Sequence, residues 1–249
     1  MAEHPRLITF GISHFCEKAR WALDWHRIDY QEECWVPGLH VLSSRLAGAR
    51  SSALPLLLSS REPVQGSGAI LDWASRHGNG PELNHPDAAG IEERADNGIG
   101  IHLRHYVYSI CLPRSPESVR PALYLNLGHA KALAGRATWP LVRRLMIKGF
   151  RITPETPERA KARFETELDW LDDLLSDGRP FLAGARFTRA DLAVASLLSP
   201  LTRPAQMAVY RKLELPAELE LAFGNWMQRP SAKWAAGLYR THRRESRAR

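Results

Sequence analysis

The chain has no apolar run that approaches the roughly 18 residues a membrane-spanning helix requires, and its first residues lack the apolar stretch of a secretion leader. Only three cysteines occur in 249 residues, and they lack the paired spacing of metal ligands. Neither a disulfide framework nor a zinc site is therefore expected. We expect a soluble, cytoplasmic protein whose 44% hydrophobic content supports a substantial core.

The positive charge of the chain is unevenly placed. The formal charge is +7, but residues 240–249 carry five arginines and one glutamate, which leaves a net charge of +3 for the rest. Aromatic residues do not alternate with the basic ones, as single-strand binding would require. We expect a solvated, frayed basic tail and neither a nucleic-acid nor a membrane partner.

Strand and helix patterns alternate in the first 77 residues. Strands are predicted at 7–10, 29–35, 54–58 and around residue 64, helices at 15–27 and 67–77, and an irregular stretch at 37–52. This order is βαβαββα. The polar, breaker-rich residues 78–86 predict a linker, so we place a first domain at 1–80.

Helical patterns dominate the remaining sequence, and we predict an all-helical second domain at 88–249. The predicted helices are at about 89–112, 119–150 with interruptions, 156–177 and 189–200, with shorter ones up to 240. Thr188, three residues before Asp191, predicts a capping box at the start of one helix. Residues 113–140 contain several prolines and are expected to form a partly ordered excursion.

Four motifs in register resemble those of one family. Residues 13–23, S-H-F-C-E-K-A-R-W-A-L, follow the first strand and resemble the active-site segment of serine- and cysteine-type glutathione transferases. Ala53-Leu54-Pro55-Leu56 is similar to the cis-proline turn of that family, and Gly66-Ser67-Gly68-Ala69-Ile70 to its glutathione motif. In the second domain, 180–191 is similar to the helix-capping signature of the family, and 226–230 to its C-terminal helix ending.

The resemblance implies a thioredoxin-like domain followed by a helical-bundle domain. It implies an enzyme of detoxification that conjugates reduced glutathione, as cosubstrate, to a small hydrophobic electrophile. A homodimer is implied, with no metal and no cofactor beyond glutathione. Two alternatives stay open, namely a thiol oxidoreductase that uses Cys16 and a non-catalytic binding or scaffold protein with the same fold.

Ser13 is the candidate catalytic residue. Its hydroxyl could donate a hydrogen bond to the glutathione thiolate, which is worth roughly 1.5–3 kcal/mol, or about one to two pKa units. The amides at the start of the following helix would add to this effect. The alternative is that Ser13 only caps the helix, because serine is a preferred N-cap residue.

The remaining glutathione contacts are carried over from the resemblance. Leu54, before Pro55, would pair its backbone with the cysteinyl part, and Ser67 would bind the γ-glutamyl carboxylate. An ordinary trans proline and a plain N-cap serine are the alternatives. Gly66 stands where the family has Glu, Gln or Asp, so one contact is missing unless Gln65 replaces it.

Other candidates depend on position along the chain. Arg50, with His40 and Arg45, lies where the family binds the glycyl carboxylate. Phe15 and the helix residues Arg104, His105 and Tyr108 are candidates for the second-substrate pocket, since i, i+4 spacing puts Arg104 and Tyr108 on one face. That face could instead be solvated or part of a dimer contact. His102 and His105 lack the further ligands a metal would need.

Cys16 takes the fourth position of a span that resembles glutaredoxin-like Cys-Pro-Tyr-Cys, with serine in place of the first cysteine. The first position is normally the nucleophile. We therefore interpret Cys16 as a small buried residue.

Overall fold

The computed structural model describes residues 4–35, 37–38, 40–59, 62–125, 127–243 and 246–248, with backbone only at 42, 43, 211 and 212. Its contacts divide the chain into two compact units. The first unit comprises Met1–Glu82, Ala122–Val142 and Arg244–Arg249, and the second unit comprises Leu83–Pro121 and Arg143–Arg243. Our domain limits of 1–80 and 88–249 stay a prediction about the linear sequence.

The N-terminal region has the element order βαβαββα, as the sequence predicts. The elements are β1 (Arg6–Thr9), α1 (His14–Trp25), β2 (Gln31–Cys34), α2 (His40–Leu46), β3 (Leu56–Leu58), β4 (Pro63–Gln65) and α3 (Ser67–His77). The expectation of an irregular stretch at 37–52 is wrong in part, because seven of those residues form α2.

A four-stranded sheet of order β2-β1-β3-β4 organises the described part of the first unit. β1 pairs in parallel with β2 and antiparallel with β3, and β3 pairs antiparallel with β4. Leu7 and Leu57, partners across β1 and β3, are both fully buried. The parallel pair needs a crossover connection, which α1 provides. This sheet and its helices form a thioredoxin-like domain.

The rest of the chain is mostly helical. Its helices are α4 (Ala88–Ala95), α5 (Ile101–Arg114), α6 (Arg120–Leu123), α7 (His129–Gly149), α8 (Thr156–Leu174), α9 (Arg189–Leu197), α10 (Ser199–Thr202), α11 (Ala217–Trp226) and α12 (Pro230–His242). One π-helical turn, Asp96–Gly100, joins α4 to α5. The predicted second domain is therefore helical, and 113–140 is more regular than the prolines suggested because it contains α6 and the first half of α7.

The capping box at the start of α9 is confirmed. Oδ2 of Asp191 accepts from the Thr188 amide at 2.7 Å and from the Thr188 hydroxyl at 2.8 Å. Its other oxygen, Oδ1, accepts from the Leu182 amide at 2.7 Å. The fully buried Asp191 therefore joins the loop before α9 to the helix start, and its carboxylate satisfies three donors.

The basic tail is not frayed where the structure describes it. Arg247 donates through its amide to Asp24 at 2.7 Å and through its guanidinium to Asp29 at 3.0 Å. Ala248 forms a parallel bridge with Tyr30, beside the edge strand β2. The expectation of a solvated, frayed tail is therefore wrong for residues 246–248. Residues 244, 245 and 249 lie outside the described residues.

Candidate functional site

Ser13 is the N-cap of α1. Its Oγ accepts from the Cys16 amide at 3.3 Å, and its backbone is extended, at φ −75° and ψ 121°. A serine hydroxyl has two acceptor sites and one hydrogen to donate, so capping uses an acceptor site and leaves the hydrogen. The two interpretations of Ser13 are therefore compatible. Ser13 is partly exposed.

An ion pair between the buried Arg20 and the partly exposed Glu32, close to Ser13, was missed by sequence reasoning. The Phe10 carbonyl accepts from the Ser13 amide at 3.1 Å and from Arg20 Nη2 at 3.4 Å. Arg20 also binds Glu32 Oε1 through Nε at 2.8 Å and Nη2 at 2.6 Å, and Thr9 donates to the same oxygen at 2.6 Å. Burial opposes the charged form of both groups, but the opposite charge of the partner outweighs it. The pKa of Glu32 is therefore lowered and that of Arg20 is raised. Arg20 and Glu32 thus hold the turn that presents Ser13.

Cys16 is fully buried in α1, and the Phe10 amide donates to its Sγ at 3.5 Å. Burial raises the pKa of its thiol to about 11, against the opposing effects of Arg20 and of the Ser13 hydroxyl. At neutral pH the side chain is therefore a thiol, which is a weak nucleophile. This agrees with the interpretation of Cys16 as a packed core residue.

The Leu54-Pro55 peptide bond is cis, as the resemblance implied. The strand ladder begins at Leu56, so the backbone of Leu54 lies outside it. Gln65 holds the preceding segment: its Nε2 donates to the carbonyls of Ser51 at 2.7 Å and Ala53 at 2.8 Å, and its Oε1 accepts from the Ser51 amide at 3.1 Å. The Gln65 amide is therefore engaged by the chain and does not replace the side chain missing at residue 66.

Gly66, not Ser67, is the N-cap of α3. Gly66 adopts φ +95° and ψ 147°, a conformation that favours glycine, and a Cβ there would have no atom within 4 Å. No side chain caps the helix start among the described residues. Ser67, buried at the first position of α3, therefore lies where amides and a hydroxyl can meet a carboxylate.

Two of the three candidates for the glycyl carboxylate, His40 and Arg45, lie in α2, and Arg50 follows that helix. Arg50 and Arg45 are exposed. His40 instead accepts from the Gly38 amide at 3.0 Å through Nδ1, and its ring lies 4.8 Å from that of Phe10. The assignment of Arg50 stays a prediction.

The second-substrate candidates of α5 come together around one aromatic ring of the second unit. The Arg104 guanidinium lies 5.1 Å from the centroid of Phe150, and the rings of His105 and Tyr108 lie 5.9 Å and 5.3 Å from it. All four side chains are partly exposed. We name this group the Phe150 cluster. Phe15, the fourth candidate, belongs to the first unit, where its ring lies 4.7 Å from that of His14.

The position of Phe150 follows from the way α7 ends. The amides of Arg151 and Ile152 donate to the carbonyls of Lys148 and Ile147 at 3.0 Å each, which is the bonding pattern of a Schellman motif. Arg151 is in the left-handed region, at φ 50°, where glycine is usual. Sequence reasoning missed Phe150 because it lies far from α5 in the chain and has no motif of its own.

The described residues contain neither a cluster of metal-ligating side chains nor a helix suited to a membrane. In the ranges that the structure describes, no group of three or more histidine, cysteine, aspartate or glutamate side chains could hold a metal ion. In the same ranges, no helix is both long and apolar enough to cross a membrane.

Two family models match the chain. The model described as "Glutathione S-transferase, N-terminal domain" matches residues 7–82, and "Glutathione S-transferase, C-terminal domain" matches residues 154–232. The first model spans nearly all of the βαβαββα region, and the second spans α8 to α11 and the start of α12. No curated protein matches the sequence.

Solved structures resemble the chain along nearly its whole length. A glutathione S-transferase of Methylobacterium radiotolerans, in complex with glutathione sulfonate, is 19% identical with a TM-score of 0.54, and covers 94% of each chain. One of Ceriporiopsis subvermispora, in complex with glutathione, is 15% identical with a TM-score of 0.61, and covers 95% of each chain. The β-etherase LigF of Sphingobium is 14% identical with a TM-score of 0.57, and covers 93% of this chain and 98% of its own. At these identities the likeness concerns the fold.

Proposed function

Because the chain belongs to the glutathione transferase superfamily, we propose that it conjugates reduced glutathione to a small hydrophobic electrophile and that Ser13 stabilises the thiolate. The observation that carries this proposal is that the Ser13 hydroxyl caps α1 as an acceptor, so the cap does not use its hydrogen. The Cys16 sulfur competes for that hydrogen. A neutral thiol accepts weakly, so a thiolate takes the bond.

The proposed reaction is nucleophilic. The thiol of glutathione loses its proton to solvent, and the thiolate attacks an electrophilic carbon. A carbon–sulfur bond forms while a leaving group departs with its electron pair, or while a π pair moves onto an activating group. The chain contributes by raising the thiolate fraction at neutral pH and by holding the tripeptide in place.

The proposal includes the rest of the glutathione site. We assign the cysteinyl backbone to Leu54, beside the cis Pro55, and the γ-glutamyl carboxylate to Ser67 and the uncapped amides of α3. Gly66 supplies no side chain to the γ-glutamyl end. We therefore expect weaker glutathione binding than a side chain at residue 66 would give.

The Cys16 alternative is disfavoured by the burial of its thiol and by its raised pKa, since disulfide exchange needs an accessible thiolate. We include in the proposal a homodimer, a cytoplasmic location and a role in detoxification. Sedimentation of the purified protein tests the first of these.

The decisive experiment is calorimetric titration with reduced glutathione, with the ultraviolet thiolate band recorded against pH. Ser13→Ala should raise the apparent pKa of bound glutathione by about one to two units, and Ser13→Thr, which keeps the hydroxyl, should not. Cys16→Ala is the matched control, and conjugation should survive it. An absence of binding at millimolar glutathione would refute the proposal and favour a scaffold protein.

A further inference from the structure

The Phe150 cluster combines one permanent cation with aromatic surface. The Arg104 guanidinium lies against the Phe150 ring, with Tyr108 one helical turn further along α5 and close to the same ring. Arginine presents a planar fork of donors that matches a carboxylate, and it stacks on aromatic faces. The cluster therefore offers a polar end and a flat apolar end a few ångströms apart.

We propose that the Phe150 cluster binds a planar aromatic carboxylate through Arg104, so that the second substrate is an acidic rather than a neutral aromatic electrophile. The role in transfer rests on the proposed function, but the binding does not. The carboxylate would pair with the arginine fork, and the ring would stack against Phe150 and Tyr108.

The charges around the cluster favour an anion. Burial lowers the pKa of His105, and its interactions with Arg104, His102 and Arg159 lower it further, so both arginines contribute positive charge here. The pKa of His102 is lowered as well, first by burial and then by the charge of Arg163. A carboxylate beside Arg104 and His105 therefore meets the charges of Arg104 and Arg159, whereas Glu158 and Glu165 of α8 act on the buried Tyr106 of α5.

Among the described residues, the acidic group that acts on His102 is already engaged. Glu167 raises the pKa of His102, opposing Arg163, but Arg94 Nε donates to its carboxylate at 2.9 Å. The charge of Glu167 is thus largely balanced within the second unit. A neutral aromatic ligand would gain only stacking in the cluster, and a cationic one would be repelled.

The experiment compares two matched probes on the full chain. 2-Naphthoate and 2-naphthamide share a ring system and differ in charge, and each is titrated by calorimetry in the absence of glutathione. Naphthoate should bind at least tenfold more tightly, since a hydrogen bond to a charged group is typically worth a factor of ten or more. Arg104→Gln should abolish this preference, while Arg104→Lys should keep part of it.

Arg203→Gln is the matched control, because Arg203 lies 5.5 Å from the Phe223 centroid and bonds to Glu220 at 3.0 Å. It should leave naphthoate affinity unchanged. Phe150→Leu should weaken both probes alike. Equal binding of the two probes, or naphthoate affinity unaffected by Arg104→Gln in a folded variant, would overturn the proposal. Titration of the same sample with glutathione tests the proposed function separately.

Discussion

Replacing Gln65 by glutamate should loosen the segment that leads into the cis proline. The glutamine amide donates to two carbonyls, those of Ser51 and Ala53, and accepts from the Ser51 amide. A glutamate has nearly the same shape but, when ionised, cannot donate. Gln65→Glu therefore removes two hydrogen bonds and points a carboxylate oxygen at two carbonyl oxygens.

The magnitude follows from those two bonds. A neutral hydrogen bond contributes about 0.5–1.5 kcal/mol net, and these bonds are exposed, so water replaces part of what is lost. We expect the free energy that holds residues 51–53 in their native position to fall by about 1–2 kcal/mol. If glutathione binds beside Leu54, its dissociation constant should rise by roughly five- to thirtyfold, since 1.4 kcal/mol is a factor of ten.

Two measurements check this prediction. Hydrogen exchange of a peptide covering residues 51–54 should speed up, because this segment loses two of the three hydrogen bonds that Gln65 makes to it. Calorimetry should show the weaker glutathione affinity. Gln228→Glu makes the same chemical change at an exposed glutamine of the second unit and serves as control. Unchanged exchange and an unchanged dissociation constant in Gln65→Glu would refute the reasoning.

Three further predictions concern stability. Arg151→Gly should raise the free energy of unfolding by about 0.5–1 kcal/mol, because the φ of 50° at this residue suits glycine. Its control, Arg144→Gly inside α7, should lower the free energy of unfolding by about 1 kcal/mol. Equal effects of the two substitutions in urea titrations would contradict this. Gly78→Ala would put a Cβ 2.3 Å from the His26 carbonyl oxygen and should cost roughly 1–3 kcal/mol, whereas Gly90→Ala, with open space in α4, should add about 0.5–1 kcal/mol. Both ring nitrogens of the buried His26 lack a hydrogen-bond partner in the described ranges, and burial lowers its pKa. The unfolded chain therefore binds the proton more readily, and stability should fall as pH drops below about 6.5; His26→Leu should flatten that dependence and His129→Gln at the surface should not, as unfolding at several pH values would show.

The sequence by itself determined the local features of this protein. Helix α3 covers the predicted residues 67–77, with Gly66 before its start and Gly78 after its end. Glycines and capping groups set the ends of a helix through the backbone of a few neighbouring residues, so these ends can be read from the sequence. Thr188 and Asp191 determined the start of α9 in the same way. The seven residues of α2 gave too little periodicity to stand out from their irregular surroundings.

The tertiary structure decided which distant residues meet. Helical spacing puts Arg104 and Tyr108 on one face, but only the ending of α7 brings the Phe150 ring to them. The turn that presents Ser13 likewise depends on Glu32, which reaches Arg20 because β2 pairs with β1. Residues 246–248, at the other end of the chain, also contact the first unit, through the bond from Arg247 to Asp24. Such contacts arise when apolar surface is buried and charged groups find partners across the fold, and neither is encoded within a short stretch of chain.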